Sequence, residues 1–96
     1  MTAPRYRLYV LPGPVLRAGL VPAVDGAPIE IEIWEMDHAA LGALTREIGA
    51  PLAMGRVLLD ERDVVGFVCC DPGPAARDIT AYGGFRQYLR ASTKSP

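Results

Sequence analysis

A chain of 96 residues is bounded to one domain, with a modest core and little stability in reserve. Half of the residues are apolar, the net charge is −1 and the ten basic residues are scattered from Arg5 to Lys94. This excludes wholesale disorder and a nucleic-acid surface built on a concentrated basic face. No apolar run reaches the ~20 residues that span a bilayer, and the start passes into a strand-like pattern without a signal-peptide core, so the expected location is cytoplasmic.

With 10 glycines and 9 prolines the chain must turn often, which leaves room only for short elements. The first is a strand over Arg5–Leu11, where Tyr6, Leu8 and Val10 share one face. Pro12-Gly13-Pro14 ends it, and Val15 to Gly19 reads as loop. Leu20 to Val24 reads as a short edge strand, because Pro22 cannot donate to a central ladder. Asp25-Gly26 is a hairpin signal. Ile29-Glu30-Ile31-Glu32-Ile33-Trp34 then gives the cleanest alternation in the chain, with isoleucines toward the core and Glu30, Glu32 and Trp34 opposite. If the strand ran on, Glu35 would be an inward carboxylate and a candidate acid or base. A strand ending at Trp34 leaves it exposed, and that is the preferred reading.

Asp37 has the chemistry of an N-cap, with Met36 and Leu41 at the spacing of a hydrophobic staple. The helix it predicts runs from His38 to Ile48, with Leu41, Leu44 and Ile48 on one stripe. Gly49 stops it and Pro51 forbids its return. His38 reads as an exposed first-turn residue. Pro51 to Gly55 reads as an irregular connector, Arg56 to Leu59 as a strand, and Asp60 to Asp63 as a solvated hairpin tip. Val64 to Cys70 reads as a central strand covered on both faces, and its adjacent thiols, Cys69 and Cys70, as one buried and one half-buried group. The tail, 91–96, is polar and expected to fray. Short strands, one central helix and one short C-terminal helix make an α+β domain on a small, mostly antiparallel sheet that curls or closes into a barrel.

The last run, Asp78 to Leu89, carries the most information. Asp78 or Thr80 can accept N–H bonds at a helix start. Gly83-Gly84 permits positive φ or a close approach, and Phe85, Tyr88 and Leu89 recur at i, i+3, i+4. Backbone amides at that helix start, with Arg86 or Arg77 nearby, suit a small carboxylate. The competing reading is that the glycines allow packing and the arginines solvate the surface.

Much other chemistry is absent. The serines, Ser92 and Ser95, and the lysine, Lys94, lie in the tail, which leaves no plausible Ser-based nucleophile. One histidine and no repeating acidic cluster give no metal site, Gly83-Gly84 is not a phosphate loop, and no cofactor is implied.

Taken in order, the segments resemble one family. Tyr6-Arg7-Leu8-Tyr9 is followed by a Pro/Gly loop and Gly19-Leu20-Val21. Ile29 to Met36 is similar to a V-E-V-E-V-W-E-L pattern, and Ala50 to Val57 to A-P-L-x-I-G-x-V. Gly66 to Cys69 and the run Asp78 to Leu89 complete the series. The pattern resembles the C-terminal domain of allophanate hydrolases over roughly Arg5 to Arg90. The resemblance implies a fold similar to γ-glutamyl cyclotransferases. It also implies work beside an amidase with a Ser–Ser–Lys centre, on the product N-carboxycarbamate, which yields ammonia and carbon dioxide.

The chain departs from the family in places. The G-x-H-x-x-G loop with the family's catalytic histidine has no counterpart, and His38 does not match it. A Y-G-S-L loop is also missing. The L-D-x-x-E ending of the central helix reads Leu44-Thr45-Arg46-Glu47-Ile48, with Ile48 at the glutamate position. The resemblance therefore implies, first, a binding or accessory domain for a small carboxylated substrate. Second comes an enzyme fragment completed by an upstream or partner strand, and third an enzyme using Glu35 or Glu47. The first two imply an exposed sheet edge that invites a homodimer or a partner strand. The candidate ligand-binding residues are Tyr82, Gly83, Gly84 and Arg86, with Met54 and Gly55 nearby.

Overall fold

The alternation of Tyr6, Leu8 and Val10 forms β1 (Tyr6–Leu11) in the computed structural model, which describes residues 1–69 and 71–93. These side chains are buried and centre the core, together with Leu20, Ile29, Val57 and Ile79. β2 (Arg17–Pro22) folds back antiparallel on β1, pairing Tyr6 with Pro22 and Leu11 with Arg17. Helix α1 (His38–Glu47) follows. β3 (Leu52–Leu58) and β4 (Asp63–Cys69) then form a hairpin in which Leu59 N–H donates to Arg62 C=O across the charged tip. β5 (Arg77–Asp78) pairs with β1, a 3-10 turn spans Thr80–Tyr82, and α2 spans Phe85–Thr93. Among the described residues the sheet order is β3-β4-β2-β1-β5, and of its strand pairs only β2–β4, at Leu20 and Val68, is parallel. This is the expected small α+β fold, on an open sheet.

Several boundaries differ from the sequence expectation, each for a physical reason. β2 begins at Arg17, within the stretch read as loop, and is not an edge: β1 and β4 flank it. Pro22 is tolerated because it lies at the strand's last position, beyond the contact with β4. Asp25-Gly26 does not make a hairpin. The chain turns back over β1, Ala27 bridges Tyr6, and a Cβ on Gly26 would lie 2.2 Å from the Tyr6 nitrogen. Only glycine allows that approach.

The clearest correction is Ile29–Trp34, which is not a strand. Its single bridge joins Glu30 to Gly84, and Ile29 alone among its isoleucines is fully buried. A pleated alternation needs a ladder partner, and among the described residues none reaches Ile31 to Trp34. What sequence reading overlooked is the grip on Ile29 itself. The buried Thr2 accepts from Ile29 N–H through its hydroxyl at 3.0 Å and donates its own N–H to Ile29 C=O at 2.9 Å.

In α1 the Asp37 carboxylate accepts from Ala40 N–H at 2.8 Å, the expected cap. Ile48 is the C-terminal cap and not the last helical residue, and none of the helix's residues is buried. β3 starts at Leu52, so Met54 and Gly55 belong to a strand and not to a connector. β4 is interior but not covered on both faces along its whole length, since Val65 is 63% exposed while Cys69, on the same face, is buried. Cys69 is buried, while Cys70 and the end of the tail, 94–96, lie outside the described residues.

Candidate functional site

Asp78 does not cap α2. Its carboxylate accepts from Thr80 N–H at 2.9 Å, closing the 3-10 turn, and from Arg7 Nε at 2.6 Å. Burial pushes this carboxyl up, but hydrogen bonds from Thr80 and Arg7 outweigh it and hold the group below its ordinary range. The Arg7 guanidinium is raised in turn, first by its hydrogen bond to Asp78. Thr80 is buried and accepts from Leu8 N–H at 2.9 Å. The start of the motif is thus welded to β1.

Gly83 follows with φ +82°, a conformation that favours glycine, and its carbonyl accepts from Glu30 N–H at 2.7 Å. Gly84 then lets the Glu30 backbone approach: a Cβ there would meet the Glu30 Cβ at 3.2 Å. The glycine pair therefore aligns Glu30 and Glu32 beside the first turn of α2. Glu30 accepts a hydrogen bond from Gln87, and Glu32 pairs with Arg86. Phe85 and Tyr88 turn inward onto the core.

Between this assembly and the sheet lies an open cleft of about 1040 Å³. Leu8, Leu20, Val57 and Val64, which the strand register puts on one face of the sheet, form its floor. Ile31, Ile33 and Trp34 form one wall with Leu41 and Leu44 of α1. Its ionisable lining is Glu30, Glu32, Glu35 and Arg86, three carboxylates against one guanidinium. It has the make-up of many ligand sites, mostly apolar with a few convergent polar groups.

The candidates from sequence divide between this cleft and its surroundings. Met54, Glu35 and Arg86 line it. Gly55, Tyr82, Gly83 and Gly84 do not. Tyr82 lies edge-to-face on Tyr88 with ring centroids 5.2 Å apart, and Arg77 sits 5.8 Å over the Tyr88 ring. Glu47 is exposed on α1. The Glu32–Arg86 pair was not foreseen, although the alternation that puts Glu30 and Glu32 on one side held the signal. Both members are about half exposed, at 51% and 53%, so the pair is worth roughly 0–1 kcal/mol and Arg86 can exchange it cheaply for another carboxylate. Among the described residues no helix is long and apolar enough to cross a membrane, and no group of three or more His, Cys, Asp or Glu could hold a metal ion.

Comparison with known proteins gives one consistent result. A family model described as the allophanate hydrolase C-terminal domain matches residues 1–90. The chain is 37% identical, over 97% of its length, to a urea amidolyase of Saccharomyces cerevisiae, of which it spans only 6%. Among solved structures it is similar to the Kluyveromyces lactis allophanate hydrolase, with 31% identity, a TM-score of 0.87, and coverage of 95% of this chain and 16% of that one. It is likewise similar to a uropathogenic E. coli-specific protein, c4763, with 28% identity, a TM-score of 0.80, and coverage of 93% of this chain and 71% of that one.

Proposed function

The chain belongs to the allophanate hydrolase C-terminal domain family, and from that premise we propose that it is a small-acid-binding, accessory module of urea and allophanate nitrogen metabolism. The observation that carries the reading is Arg86. It is a guanidinium at the rim of an apolar cleft, held by a half-exposed ion pair that a ligand carboxylate can replace. The ligand class is a small dianionic carboxylate, such as the N-carboxycarbamate that allophanate cleavage would deliver, and the natural companion is an amidase. The apolar floor lowers the local polarity beside Arg86, which strengthens its contact with a bound carboxylate. A catalytic reading, in which the domain promotes decarboxylation of that product, draws on the placement of Glu35 in the same cleft.

Malonate, in which CH₂ replaces the NH of N-carboxycarbamate, is a stable probe. Titrated against the protein, it should bind, and Arg86→Ala should weaken binding about tenfold or more, the loss of roughly 1.4 kcal/mol or more. Binding indifferent to Arg86→Ala in a folded variant would sink the reading. Adding the protein to an allophanate-cleaving amidase stripped of its own C-terminal domain separates the two roles. Carbon dioxide and ammonia release that accelerates, and loses its acceleration with Glu35→Gln, would make the domain catalytic.

A further inference from the structure

We propose that Ile31–Met36 is a docking strand for an extended, basic segment of a partner protein, which pairs with its backbone and fills the open side of the cleft. Among the described residues, no backbone N–H or C=O from Ile31 to Met36 is hydrogen-bonded to another backbone group. Yet this stretch has strong strand character, with β-branched and aromatic side chains in alternation. Ile33, Trp34 and Met36 are 53%, 73% and 45% exposed. A row of unpaired backbone groups beside exposed apolar side chains is what an added β-strand satisfies, and neither a helix nor a small ligand would satisfy it.

Charge decides which strand fits. The rim carries Glu30, Glu32 and Glu35 against Arg86. A second copy of this chain, paired antiparallel through the same stretch, would bring two sets of these carboxylates together, which is unfavourable. A segment with apolar residues at alternate positions and Lys or Arg between them places its apolar side toward Ile33 and the cleft and its cations by Glu30 and Glu32. This inference does not depend on the small-acid reading: a malonate titration that fails leaves it standing.

The probe is acetyl-Val-Lys-Val-Lys-Val-Lys-Val-amide, with the Glu-for-Lys peptide as control, titrated into the ¹⁵N-labelled protein. The basic peptide should shift the Ile31–Met36 amides, slow their hydrogen exchange, and bind at least tenfold more tightly than the acidic one. Salt should weaken it. Glu30→Gln combined with Glu32→Gln should shrink the preference, and Trp34→Lys, an exposed change that sets a cation against the peptide's lysines, should abolish binding with the fold intact. Shifts confined to the β3 edge, equal binding of both peptides, or no binding at millimolar concentration would overturn the proposal. Concentration-dependent dimerisation that protects these amides without peptide would overturn it too, and name the second copy as the occupant.

Discussion

Two regions of this molecule are built from equally good local sequence and end in opposite states. The β1 region is bonded from every side. β2 and β5 flank it, Thr80 receives its Leu8 N–H, and the Tyr6 hydroxyl accepts from Leu58 N–H at 2.8 Å. The region 31–47 has the cleaner strand pattern and a well-capped helix, yet no side chain of α1 is buried and Ile31 to Met36 has no backbone partner among the described residues. The difference teaches that propensity and capping choose a local conformation, while tertiary partners decide whether it is held.

Paired truncations give the largest contrast. Leu8→Ala removes a side chain that is 4% exposed and should cost about 2–5 kcal/mol, whereas Leu44→Ala on α1 should cost under ~1 kcal/mol by urea unfolding. Similar costs would mean that α1 is packed in solution. Next is Thr80→Val, which keeps shape but strips the acceptor from the buried Leu8 N–H. A loss of about 1–3 kcal/mol is expected, again by urea unfolding.

The smallest effect sharpens the comparison through pH. The folded Asp78 carboxyl lies below its ordinary value of 3.8. Its contribution is therefore complete above that value and is lost as pH falls through the lower, folded one. Stability measured from pH 5 to pH 2 should fall, and less steeply in Asp78→Asn. Equal slopes would show that the Arg7–Asp78–Thr80 weld carries none of the acid response.

Much of the fold was legible because its signals are local. Alternation marked β1, Asp37 marked the start of α1, and the spacing of Phe85 and Tyr88 marked the face of α2 that meets the core. The Asp78–Leu89 run also pointed to the right family. The rest turns on pairing over distance. Nothing near Arg17 says that β4 will run beside it, nor does anything near Met54 announce a strand partner in Phe67. Ile29–Trp34 misled because alternation reports what a segment could pair with, not whether a partner exists. The cleft was legible in part: Arg86, Met54 and Glu35 line it, but its floor comes from four separate strands that no single motif connects.

Residue-resolved native-state hydrogen exchange tests the contrast between the two regions most directly. The account predicts that the β1 and β2 amides exchange only through global unfolding, while Ile31–Met36 in the isolated protein exchanges nearly as fast as an unstructured chain. Protection of Ile31–Met36 equal to that of β1, in a dilute monomer, would contradict it.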